Sequence, residues 1–252
     1  MSVREINSIN NEYIKRISKL KDKKYRDEER CFLIEGEHLI EEAIKNNAPL
    51  KTVFITDISK EVKGIDNILV SEAIIQKLSS VKAPQKIIGV CGYLEKVKVV
   101  GERFLILDGI QDPGNLGTLI RTALGFGIDT IVASLDTVDI YNDKVIRSTQ
   151  GAIFNINYIK GDLKEIIFGL KNKGVEIIGT SLQSSVYLEE VNGFNKYALI
   201  LGNEGNGVRE DILKLADINV KIKICEKLES LNVAVAGAIV MNDLYSKIKG
   251  RD

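Results

Sequence analysis

Tryptophan is absent from this 252-residue chain, histidine occurs once, and proline and cysteine occur three times each. Cys31, Cys91 and Cys225 are far apart, odd in number and without paired spacing, which argues against a disulfide framework and a zinc site and predicts buried, reduced thiols. No metal site is expected. With His38 as the sole imidazole, many hydrolase mechanisms lose their proton shuttle. His38 lies in Glu35–Glu42, which reads as the start of an acidic amphipathic helix, so a surface position is its ordinary role. No apolar run is long enough to span a bilayer and the N-terminus is polar and charged, so a cytoplasmic protein is expected.

Excess charge of either sign is also missing, since 35 lysines and arginines balance 35 aspartates and glutamates. The global basic field of many nucleic-acid binders is therefore absent. Locally the balance breaks. Lys15, Arg16, Lys19, Lys21, Lys23, Lys24 and Arg26 face the single acid Asp22 between residues 15 and 26. Such a run could track a phosphate backbone, or it could be the solvated face of a helix whose apolar stripe is Ile14, Ile17 and Leu20.

The first part alternates short apolar runs with helical patterns: a helix near Asn10–Leu20, a strand at Cys31–Ile34, a helix at Glu37–Lys45 and a strand at Thr52–Ile55. A weaker strand at Ile68–Val70, a helix opened by Ser71 and a strand at Lys86–Cys91 complete a small α/β unit. Leu94–Gly101 reads as a linker, giving domains at 1–96 and 97–252. In the second part, strands are predicted at Phe104–Leu107, Thr130–Ala133, Asn157–Ile159, Val175–Thr180, Tyr197–Leu201 and Ile218–Lys221, with helices between them. Runs such as Ala198–Leu201 are apolar without alternation, as strands covered on both faces should be, and this predicts a mostly parallel sheet. The last segment, Ser230–Ile248, is apolar nearly all round and suits a core or a subunit interface.

Three segments could carry chemistry. In Leu107–Phe126 a strand runs into a helix whose buried stripe is Leu116, Leu119, Ile120, Ala123 and Leu124, with Asn115 in cap position. Arg121 shares the other face with Gly117 and Thr118, which suits an anion lying close to backbone or simply a solvated arginine. Gly202-Asn203-Glu204-Gly205-Asn206-Gly207 follows a strong strand, where an open parallel sheet presents ligand loops, yet its glycines do not match a dinucleotide fingerprint. Alone it could be only a tight turn. Ser230-Leu231-Asn232 opens the final helix, with Ser230 as a good cap.

Together these segments resemble the three signature motifs of the SpoU/TrmH family of RNA ribose 2′-O-methyltransferases, in the SPOUT superfamily. Asn115, Gly117 and Arg121 match the first motif, Gly202, Glu204, Gly205 and Gly207 the second, and Ser230, Leu231, Asn232 and Val233 the third. The N-terminal part resembles the small ribosomal-protein-like domain that several such enzymes carry. The resemblance implies a C-terminal domain with a deep trefoil knot that binds S-adenosylmethionine as a homodimer. It maps the cofactor to Thr180, Leu201, Gly202, Asn203, Gly207, Ile222 and Leu231. Arg121 and Asn115 would face the RNA, assisted by Glu204, Ser230 and Asn232. Two departures, Ile222-Lys223-Ile224 where the family often has Ile-Pro-Met and Ala234 where it commonly has serine, bear on the shape of the cofactor loop.

The expected reaction is methyl transfer to a ribose 2′-hydroxyl, with ribosomal RNA, 23S foremost, favoured over transfer RNA. Lys15, Arg16, Lys19, Lys23, Lys24 and Arg26 are the expected RNA-docking surface. A catalytically silent RNA-binding relative should have lost Arg121 or the cofactor loop, and a nicotinamide-dependent dehydrogenase would need a glycine fingerprint that this chain lacks.

Overall fold

In the computed structural model, which describes residues 3–94, 98–183 and 185–248, the chain opens with strand β1 (Arg4–Ile6). Asn11 then accepts the Tyr13 N–H and starts helix α1 (Glu12–Ser18), which buries Ile14 and Ile17 and is followed by a 3-10 turn, Lys19–Lys21. After α2 (Lys23–Glu29) come β2 (Cys31–Glu35), α3 (Glu37–Lys45), β3 (Leu50–Ile55), β4 (Asp66–Val70), α4 (Glu72–Leu78) and β5 (Ile87–Gly92). These strands form one sheet in the order β1-β4-β3-β5-β2, with β5 antiparallel to both of its neighbours. Ile14, Ile17, Leu20, Phe54, Ile68, Ile74 and Leu78 fill the core on one side of it.

The second part runs β6 (Arg103–Asp108), α5 (Pro113–Gly125), β7 (Thr130–Ala133), α6 (Asp143–Thr149), β8 (Asn157–Lys160), α7 (Leu163–Lys171), β9 (Glu176–Thr180) and β10 (Val186–Tyr187). It ends with β11 (Tyr197–Gly202), α8 (Glu210–Leu213), β12 (Ile218–Lys221) and α9 (Val233–Ser246). The seven strands lie in the order β10-β12-β9-β11-β6-β7-β8, every pair parallel. Phe104, Ile106, Ala198 and Ile200 meet Leu163, Ile167 and Leu170 of α7 in one core cluster. Leu105, Leu107, Leu199 and Leu201 alternate with them and are equally buried, which is why these strands read as unbroken apolar runs.

By contacts the chain divides into one unit of Met1–Glu95 with Asp139–Asn155 and another of Lys96–Val138 with Ile156–Asp252. Part of the expected linker, residues 95–97, lies outside the described residues. Cys31 and Cys91 are buried, but Cys225 is exposed and corrects the expectation for all three. Among the described residues no helix is long and apolar enough to cross a membrane, and no group of three His, Cys, Asp or Glu could hold a metal.

The basic run divides between α1, the 3-10 turn and α2, and acids at its two ends meet it. Lys15 pairs with Glu12 at 2.8 Å, Arg16 with Glu29 at 3.8 Å, Lys24 with Glu28 at 4.0 Å, and Lys23 with Asp27. Lys19 and Lys24 flank the Tyr25 ring. Arg26 corrects the sequence reading. It is 4% exposed, donates to the carbonyls of Leu20 and Lys21 at 3.0 and 2.6 Å, and pairs with Asp139 at 2.8 Å. A guanidinium committed to turn carbonyls and a partly buried carboxylate is not available to a phosphate backbone.

Removing one partner of a buried pair leaves the other uncompensated. Arg26→Ala should therefore cost about 3–5 kcal/mol, read from the urea midpoint. A change within about 0.5 kcal/mol would show that the pair contributes nothing to the fold.

Candidate active site

From β6 the strand order runs outward through β7 and β8, whereas β9, β12 and β10 lie on the other side of β11. A parallel sheet leaves a crevice beyond its carboxyl ends where the order reverses. The cleft in this sheet, about 860 Å³, lies to one side of that point, at the carboxyl ends of β9, β11 and β12. Thr180, Leu201, Gly202, Asn203, Gly207, Ile222 and Leu231 all line it, as do Glu204, Ser230 and Asn232. The family resemblance assigned all ten to cofactor or reaction, and the fold gathers them from the end of β9, the glycine loop and residues 222–232.

The glycine segment is a closed loop. Asn203 and Gly207 exchange both backbone hydrogen bonds at 2.9 Å, and the Asn203 Oδ1 accepts the Gly205 and Asn206 N–H groups. A Cβ at Gly202 would stand 2.1 Å from the backbone of Gly207 and Val208, so only glycine lets the strand end pass beneath its own loop. Tight turn and ligand loop were alternatives in the sequence. Here the same residues make the turn and line the cleft.

Helix α5 begins earlier than its sequence suggested. Pro113 occupies the first turn and Asp112 is the cap, its side chain accepting the Asn115 N–H at 2.9 Å. Asn115 is thus a helical residue whose amide is free to reach outward. Its Nδ2 donates to Glu204 Oε1 at 3.0 Å, and its Oδ1 accepts from Asn232 Nδ2 at 3.0 Å. A second cap is also displaced. Asn232, not Ser230, caps α9, its Oδ1 accepting the Ala234 and Val235 N–H groups. Ser230 stays exposed in the cleft wall. An Asp immediately before Pro is a strong helix-start signal and could have located the first cap.

Glu204 also accepts the Gln111 and Asp112 backbone N–H groups, at 3.3 and 3.2 Å. Partial desolvation pushes its pKa up, but the bonds from the Asn115 amide and the backbone outweigh this and leave it below the usual carboxylate value. Gln111 is a member of this cluster that the sequence reading missed. Its Nε2 reaches the Asp136 carbonyl at 2.9 Å.

Arg121 and Thr118 are exposed on α5, and among the described residues Arg121 has no ion-pair partner. Gly117, expected beside them on the open face, is buried, while Leu124, expected in the core stripe, is exposed. The apolar stripe of α5 therefore lies slightly round the helix from its predicted position. Helix α9 buries Ala234, Gly237, Val240, Met241 and Leu244 but leaves Val235 49% and Ile239 38% exposed. A Cβ at Gly237 would lie 2.6 Å from Leu201 and 2.8 Å from Leu119, so the small residue sets how closely α9 approaches α5 and β11. His38 is exposed on α3, with Nε2 at 3.2 Å from the Gln150 carbonyl.

Residues 102–242 match the model of the SpoU rRNA Methylase family, and residues 11–89 match the MRM3-like substrate binding domain. The chain is 38% identical over 246 residues to 23S rRNA (guanosine(2553)-2′-O)-methyltransferase RlmP of Bacillus subtilis, covering 96% of this chain and 99% of that protein. It is 30% identical over 193 residues to the 23S rRNA (guanosine-2′-O-)-methyltransferase RlmB of Coxiella burnetii, covering 72% and 77%. Its fold is similar to the crystal structure of an AdoMet-bound rRNA methyltransferase from Sinorhizobium meliloti, with a TM-score of 0.88, 27% identity, and coverage of 98% and 99%.

A carboxylate whose folded pKa is depressed stabilises the fold above its unfolded pKa, about 4.3, and loses that contribution as pH falls through the folded value. The stability difference between the parent chain and Glu204→Gln should therefore be constant from neutral pH down to about 5 and shrink below about 4. Urea midpoints across that range test it. A difference that does not change with pH would mean that the charge on Glu204 is not what the three donors hold.

Proposed function

Because this chain belongs to the SpoU rRNA methylase family, we propose that it transfers a methyl group from S-adenosylmethionine to a ribose 2′-hydroxyl of 23S ribosomal RNA. The observation that carries this reading is the hydrogen-bonded chain Glu204–Asn115–Asn232 at the rim of the cleft, which joins all three signature segments. The cleft suits the cofactor. Its volume is that of a small-molecule site, and Leu201, Ile222 and Leu231 offer apolar wall for an adenosine beside the polar groups of Thr180 and Ser230. S-adenosylmethionine, when bound, supplies the methyl on a sulfonium that already carries the driving force.

The protein's part is alignment of oxygen, methyl and sulfur, which can supply about 7–11 kcal/mol. Asn115 is held at both ends of its amide and faces the ribose. Glu204 and Asn232 fix its orientation. Arg121 binds the phosphate beside the target nucleotide and stabilises the developing alkoxide, since a guanidinium rarely gives up its proton. Lys15, Arg16, Lys19, Lys23 and Lys24 form the docking surface for structured RNA, with 1–96 the substrate-binding domain and 97–252 the transferase. The exposed Val235 and Ile239 of α9 belong to a homodimer interface with a second copy. A trefoil knot in the transferase domain and action in the cytoplasm complete the reading.

Labelled methyl transfer to undermethylated large-subunit ribosomal RNA, in parallel with bulk transfer RNA, tests this. Label is expected in the ribosomal pool alone, and Arg121→Ala should lower the rate by about 10²–10³. Label confined to transfer RNA would overturn the substrate class, and label in neither would overturn the activity. Arg121→Lys retaining most of the rate would make the guanidinium fork unnecessary.

Reversing Lys15, Lys19, Lys23 and Lys24 together to glutamate should raise the RNA KM at least about tenfold at low salt, with cofactor affinity unchanged. An unchanged KM would return that run to a solvated face.

A further inference from the structure

Asp108 ends β6, and its carboxylate is 1% exposed. Such a group is costly to bury unless donors meet it. Here one residue compensates it: the Arg209 backbone N–H donates to Oδ2 at 2.8 Å, and Oδ1, which has no hydrogen-bond donor of its own among the described residues, is met by the Arg209 guanidinium as an ion pair at 2.6 Å. Arg209 caps α8, two residues beyond the glycine loop. At the other end of that loop the Asn203 Nδ2 donates to the carbonyl of Gly109 at 2.8 Å. Two consecutive residues at one strand end therefore hold both ends of Gly202–Gly207.

We propose that Asp108 and Arg209 form a charge clip that fixes the glycine loop and thereby sets the affinity for S-adenosylmethionine, a positioning role that rests on the methyl-transfer reading above. Neither clip side chain lines the cleft, whereas Val208 and Glu210, on either side of Arg209, do. The clip thus acts through the backbone between them. Beside the clip, the loop's own fold, the Glu204 bonds and the packing of Val208 against the core hold the segment, and slackening the clip lets the cleft wall shift about these points while leaving its residues intact. Asp136 also attracts Arg209 electrostatically. An uncharged residue at 108 would leave the guanidinium that second carboxylate to swing toward, drawing the start of α8 with it.

Equilibrium dialysis of labelled S-adenosylmethionine against the full chain separates the two levels. If the parent chain does not bind, the methyl-transfer reading fails. Given parental binding, Asp108→Asn and Arg209→Gln should each raise the cofactor Kd by about tenfold or more. The double variant should be no weaker than the worse single one, because both remove one interaction. Arg209→Lys keeps the charge and the backbone donor, and since one guanidinium nitrogen makes the short contact it should stay within about threefold of the parent. Arg209 is half-exposed and its replacement leaves Asp108 a backbone donor, so Arg209→Gln decides the matter where Asp108→Asn does not fold. An Arg209→Gln chain with a parental thermal midpoint and a parental Kd would overturn the clip, as would multiplicative effects in the double variant.

Discussion

The Glu204 side chain accepts hydrogen bonds from Asn115 and from two backbone N–H groups just ahead of α5, and Asn115 passes the connection to Asn232 at the head of α9. Each group in this series has a second commitment. Asn232 caps α9 with the oxygen of the same amide whose nitrogen holds Asn115, so the start of one helix and the side chain of another are set by a single rotamer. Charge-assisted bonds of this kind are roughly twice as strong as neutral ones. Here such a bond ties Glu204 to Asn115, 89 residues away, and a neutral amide bond carries the connection from Asn115 across 117 residues to Asn232.

That arrangement needs a rigid support, and the sheet supplies one. Strands β11 and β6 pair over six residues at its centre with apolar cover on both faces, and their last residues, Gly202 and Asp108, lie side by side. The glycine loop and the approach to α5 therefore leave from adjacent points on two paired, buried strands. Gly237 lets α9 settle against Leu201 and Leu119, placing the helix that carries Asn232 at its head close over the strand that ends in the loop. Sites built on such elements are held more closely than sites built on loops.

Strands covered on both faces announce themselves as unbroken apolar runs, which is why Phe104–Leu107, Thr130–Ala133 and Tyr197–Leu201 could be read directly. The three-residue β1 and the two-residue β10 carry no periodicity to read. Asn115 and Ser230 both belong to good capping types; Asp112 before Pro113 carried a readable signal for the first cap, whereas nothing local favoured Asn232 over Ser230 for the second. Counting charge from residue 15 to 26 stopped one residue short of Asp27, Glu28 and Glu29, which pair with that run. Nothing local linked Arg26 to Asp139, and only the folded chain shows that Asp139–Asn155 packs with the first unit. The cleft-lining residues were legible for another reason: the glycine loop alone could have been a tight turn, and it was the resemblance of three segments together to one family's motifs that pointed to Thr180, Gly202, Ile222 and Leu231.

Under the methyl-transfer reading, the fate of the 2′-hydroxyl proton follows from what the site contains. The sole imidazole, His38, belongs to the other unit and bonds the Gln150 carbonyl. Glu204 carries negative charge beside the cleft, but three donors hold that charge and keep its pKa low, so it would be a weak base for an alcohol. Arg121 is a permanent cation and a poor proton acceptor. None of these three groups is a good base, and in this reading the proton passes to the substrate's own phosphate or water, with Arg121 lowering the cost of the alkoxide rather than removing its proton. Such an economy is possible because a sulfonium leaves as a neutral thioether, so bond making to oxygen can precede full loss of the proton. Alignment, not base strength, then limits the reaction, and this is consistent with a site whose polar side chains are spent on holding one another in place.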